Sequence, residues 1–125
     1  MTADPSPAGR FAPGQVWRYT TRKGESRSRV IVCAVETFGE DVVVHAFIEK
    51  VKVKNEQAPG GVSRSIAHMP FALEAFESSV TELDEIRDVL PKYREGYETW
   101  REAEGGCFTV SIAEAVELME QTLNG

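Results

Sequence analysis

Two histidines are the only side chains in this chain with a charge change near neutral pH, and they are the first place to look for acid–base chemistry. His45 stands among valines and His68 heads the run His68-Met-Pro-Phe71. With Cys33 and Cys107 they form the one set of metal-ligand types, yet no pair has the spacing of a zinc motif, so no metal site and no cofactor are expected. A nucleophilic enzyme would need a Ser or Cys beside a base. Ser65 and His68 are near in sequence, but on a strand they point to opposite faces, and Gly61-Val-Ser63-Arg-Ser65 is not a nucleophile elbow. No catalytic residue is assigned on this reading. A small-molecule-binding or enzymatic pocket between the sheet and the helices, holding His45 or His68 next to a carboxylate or arginine, is the alternative to a non-enzymatic protein-binding role.

Two other constellations invite a binding role. Trp17, Tyr19 and Arg22 sit with Arg18, Lys23, Arg27 and Arg29, an aromatic and basic mixture that could stack on bases and hold phosphates. The acidic whole weighs against nucleic acid, and the reading requires an exposed Trp17. Tyr93, Tyr97 and Trp100 follow at spacings of 4 and 3, one face of a helix. Packing against a sheet is the expected role of that stripe, and partner recognition the second, because aromatics dominate binding hot spots.

These residues must be positioned by a small scaffold. The 125 residues suit one domain, read as a flexible leader over 1–10 and a single domain over 11–125. The leader is small, polar and proline-rich, without the apolar stretch of a secretory signal. Two widely separated cysteines read as buried free thiols in a reducing cytoplasm. No apolar run reaches the roughly 20 residues of a membrane helix.

The first half reads as strands. Gln15–Thr21 is one. Arg29–Thr37 and Val42–Val53 form a hairpin across Phe38-Gly-Glu-Asp41, with Thr37 opposite Val42, Val35 opposite Val44, Cys33 opposite Ala46 and Ile31 opposite Ile48. Both hairpin faces are apolar, so both must be covered or the sheet must curl. The pattern changes phase near Glu49, which predicts a bulge there. Val62–His68 reads as a further strand.

The second half reads as helices. Pro70 is placed as a first-turn proline of a helix whose stripe is Leu73, Phe76, Val80 and Leu83, with a break possible at Ser79 or Thr81. Pro91 opens the next helix, which Gly105-Gly106 ends. A short strand over Cys107–Val110 returns to the sheet, and Ser111 with Glu114 forms a capping box for the last helix. The fold class is therefore α+β: a strongly bent antiparallel sheet or SH3-like barrel, followed by about three helices packed on it.

The net charge of −6 divides unevenly. Residues 1–68 carry 10 Lys/Arg and 7 Asp/Glu, or +3; residues 69–125 carry 4 and 13, or −9. The split fits either a bipolar binding protein or acidic helix faces over a basic sheet.

Phe11-Ala-Pro-Gly-Gln-Val-Trp-Arg-Tyr-Thr-Thr-Arg22, His68-Met-Pro-Phe71 and Gly96-Tyr-Glu-Thr-Trp100 together resemble a group of small uncharacterised bacterial proteins. No activity comes with that resemblance, and no functional residue is carried over from it. The Gly-Gln-Val-Trp opening is also similar to the first strands of SH3-like barrels. The leading expectation is a cytoplasmic, non-enzymatic domain that binds another protein or a second copy of itself, with no membrane partner; nucleic-acid binding through the basic first loop is a further, less favoured alternative.

Overall fold

The computed structural model describes residues 10–124. Five strands form one antiparallel sheet: β1 (Gln15–Tyr19), β2 (Arg29–Phe38), β3 (Asp41–Lys54), β4 (Val62–Ala72) and β5 (Val80–Ile86), in the order β4-β3-β2-β1-β5. Three helices accompany them: α1 (Leu73–Ser79), α2 (Arg94–Glu102) and α3 (Ile112–Leu123). The sheet does not close. The α+β class with an antiparallel sheet holds, and the barrel alternative is corrected, because β4 and β5 are opposite edges.

The β2–β3 hairpin keeps the expected register from Thr37–Val42 to Val35–Val44. Beyond that a bulge at Cys33 slips it by one, so Val32 faces Ala46 and Val30 faces Ile48. A one-residue slip exchanges the faces of everything beyond it. Val30, Val32, Val44, Ala46 and Ile48 thereby join the main core with Phe71, Phe76, Ile112 and Val116. The reverse face carries Ile31, His45 and Val43, also buried. Both faces of the hairpin are covered, as its two apolar sides require.

The bulge expected near Glu49 is present. The β3–β4 register jumps between Glu49 and Val53, and Lys50 adopts a positive φ of 58°. Val51 and Val53 then point inward while Lys52 and Lys54 stay exposed.

The largest departure lies after His68. Pro70 is not a helix start but belongs to β4, opposite His45. Its carbonyl points away from β3 and accepts from Phe108 N–H, so the missing proline N–H removes no bond of the β3–β4 ladder. The expected apolar helix is also cut in two. Only Leu73–Ser79 is helical, and Val80–Ile86 extends as β5 along β1, placing Leu83 opposite Trp17 and Val80 opposite Tyr19. Without β5, β1 would be an unpaired edge, and this pairing outweighs the helical spacing of Leu83. The short strand expected over Cys107–Val110 reduces to one bridge, Phe108 to Phe71.

α3 starts at its expected cap: Glu114 N–H donates to Ser111 Oγ at 3.1 Å. α2 starts at Arg94, three residues beyond Pro91. Its end is a Schellman motif, with Gly105 N–H bonded to Trp100 O and Glu104 N–H to Arg101 O. The left-handed position is taken by Glu104, φ 51°, rather than by a glycine. Gly105 is needed for space instead, since a Cβ there would clash with Trp100 Cδ1.

Candidate functional site

β2, β3 and β4 carry three polar side chains in a diagonal line on the face turned to α2. His45 is opposite Ala34 on one side and Pro70 on the other. Glu36 lies two residues along from Ala34, and His68 two residues back from Pro70. Diagonal neighbours of this kind are within reach of long side chains. The three join end to end: His45 Nε2 is 2.9 Å from Glu36 Oε1, and His45 Nδ1 is 2.9 Å from His68 Nε2.

The direction of this chain follows from its ends. Arg101 Nη1 donates to Tyr97 Oη at 3.0 Å, and Tyr97 Oη donates to both Glu36 oxygens at 3.1 Å. Arg101 also stands 3.8 Å from Glu36 Oε2. Glu36 is thus a carboxylate that only accepts, so His45 must carry its proton on Nε2. His45 Nδ1 is then an acceptor, and His68 must donate from Nε2. His68 Nδ1 is left with a lone pair. It makes no hydrogen bond, and no fully buried side-chain N or O among the described residues lacks one, so Nδ1 is not completely buried.

Burial keeps both rings uncharged. His45 is fully buried, and desolvation holds its pKa below the ordinary histidine value despite the opposing pull of Glu36. Desolvation, with the neighbouring His45, takes His68 down to about 4. The two rings lie nearly parallel, at 20°, with centroids 5.1 Å apart, and Tyr97 and Trp100 meet His45 edge-on at 4.9 and 4.8 Å. Trp100 is fixed in turn by Nε1 donating to Gly106 O at 2.7 Å.

Two cavities flank α2. One, about 930 Å³, is lined by His68, Ile66, Ala67, Leu90, Pro91, Tyr93, Gly96 and Thr99, with Lys92, Arg94 and Glu95 beside them. The other, about 680 Å³, lies at the far end of the helix between Phe38, Trp100, Arg101 and Cys107. Gly96 is what lets α2 approach: a Cβ there would sit 2.8 Å from His68 Cβ.

The structure thus unites His45, His68, Tyr97 and Trp100, with Tyr93 on the rim next to Tyr97. Trp17, Tyr19 and Arg22 belong elsewhere. Trp17 and Tyr19 are 6% exposed and sit in the core, so the exposed tryptophan that nucleic-acid stacking requires is missing. Tyr19 Oη donates to Ser28 Oγ, which donates to Glu49 O. Burial raises the Tyr19 phenol above its ordinary range. Arg22 is bound to Glu25, Glu117 and Glu120. Glu36, Gly96 and Arg101 were not singled out by sequence. The one signal for Glu36 is that it is the lone acid of β2.

The cysteines divide. Cys33 is buried, and desolvation pushes its thiol to about 12; Cys107 is exposed, which corrects the expectation that both are buried. Both are free thiols. No group of three or more His, Cys, Asp or Glu among the described residues could hold a metal ion. No helix among them is long and apolar enough to cross a membrane. The leader expected over 1–10 lies outside the described residues except for Arg10, whose guanidinium stacks over Phe11 and Trp17. No known protein family, curated protein or solved structure matches the chain.

Proposed function

We propose that this protein is a small-molecule-binding domain whose site is the cavity between β4 and the start of α2, with His68 as its polar anchor. One observation carries this reading: the Glu36–His45–His68 line ends on His68, which lines a roughly 930 Å³ cavity and whose Nδ1 has no hydrogen-bond partner in the protein. Ligand pockets are mostly apolar with a few fixed polar groups, and Ile66, Leu90, Pro91 and Tyr93 around His68 fit that pattern. No hydroxyl or thiol of the described residues bonds to either imidazole, which favours binding over nucleophilic catalysis. A cytoplasmic setting fits the two free thiols.

The test is a fragment library screened on the full chain by the imidazole signals, which are simple to assign with two histidines. The reading expects hits that shift His68 and fail to bind His68→Gln. A library with no member shifting His68 overturns it.

A second reading is a domain that binds another protein or a second copy of this chain. Its support is the exposure of the apolar side chains Leu83, Ile86 and Val89, at 42%, 66% and 80%. Self-association lost on Ile86→Lys would favour it.

A further inference from the structure

We infer that Glu36, acting through His45, sets the polarity of the His68 anchor and so makes the site select ligands that bring a hydrogen-bond donor. The inference rests on the proposed binding role of the cavity. Its physical basis is a conflict that, with both rings uncharged, only one proton arrangement avoids. A neutral imidazole has one donor and one acceptor nitrogen. Between Glu36 and His68, fully buried His45 uses both of its nitrogens, at 2.9 Å each. Reversing the chain would turn the His45 Nε2 lone pair toward the Glu36 carboxylate, two acceptors face to face in a partly buried site, a costly arrangement.

His68 Nδ1 therefore offers the cavity a lone pair and no N–H. A hydroxyl or N–H of a ligand is satisfied there. An ether or carbonyl oxygen meets a second acceptor and remains unpaired, and pockets discriminate strongly on that ground. The rest of the cavity narrows the class. Tyr93, Leu90 and Pro91 offer apolar surface, and Lys92 and Arg94 outnumber Glu95 among the charged residues at the wall. Together they suit an aromatic ring with a hydroxyl at one end and an anionic group at the other.

Glu36 touches no ligand in this scheme; it is a positioning residue. Replacing it by Gln supplies a side chain that can either accept or donate, so the chain loses its fixed direction. The preference for a donor should shrink even where the pocket keeps its shape.

The experiment measures binding of 4-hydroxybenzoate and its methyl ether, 4-methoxybenzoate, to the wild-type chain and to Glu36→Gln. The expected result is about a tenfold preference of the wild type for the hydroxyl compound, falling below about threefold in the variant. Equal binding of the two probes to the wild type overturns the inference while leaving the binding site standing. Binding of neither probe overturns the assigned ligand class, and a failed fragment screen then removes the binding role as well. An undiminished preference in a folded Glu36→Gln removes Glu36 from the scheme. Because that variant could fail to fold, the ¹⁵N spectrum of His68 in the wild-type complex gives a second readout. Nδ1 must remain unprotonated with the hydroxyl probe bound, and a protonated Nδ1 contradicts the proposal.

Discussion

At the residue scale the two histidines tie the site to pH. Both have folded-state pKa values below the ordinary 6.5, His68 at about 4. The unfolded chain therefore takes up protons below about pH 6.5 that the folded chain refuses, and stability falls as pH drops from there toward 4. Urea midpoints measured from pH 7 to pH 4.5 should decline over this window, and His68→Gln should flatten the decline. A wild-type midpoint constant to pH 4.5 would show the rings to be solvated. Both histidines could be picked out from sequence by residue type alone. Their partner Glu36 could not, because it meets His45 across two strands, and the bulge at Cys33 shows how easily such a register slips.

At the scale of elements, α2 is held over the sheet by Tyr97 and Trp100, with none of its residues fully buried. Its approach depends on Gly96. Gly96→Ala should cost about 1–3 kcal/mol, because the added methyl meets His68 Cβ and the helix must shift. Chemical denaturation measures the loss, and an unchanged midpoint would mean that α2 moves aside freely. The aromatic stripe of this helix was readable from its 4 and 3 spacing. The split of the preceding segment into α1 and β5 was not. Leu73, Phe76, Val80 and Leu83 fit one helical face, and only the need of β1 for a neighbour makes the second pair a strand.

At the scale of the molecule, the charge division first suggests a bipolar surface, but much of it is neutralised internally. Arg18 and Arg29 share Asp84, which they hold below the ordinary carboxylate range. Arg22 joins Glu25 to Glu117 and Glu120 of α3, and Glu25, 4% exposed, also accepts Lys52 N–H at 2.7 Å. Arg22→Ala leaves a buried carboxylate without its cation and should cost about 3 kcal/mol, while Arg22→Met with Glu25→Leu should cost less. Denaturation of the two variants compares them, and equal losses would contradict the account. With these charges paired, the open chemistry of the molecule concentrates at His68. The most direct test is a crystal structure of the full chain with a fragment that shifts the His68 signal. The account predicts the fragment in the cavity beside Tyr93 and Gly96, with a donor atom within hydrogen-bond distance of His68 Nδ1. A fragment bound instead over Leu83, Ile86 and Val89, or between Phe38 and Cys107, would contradict it.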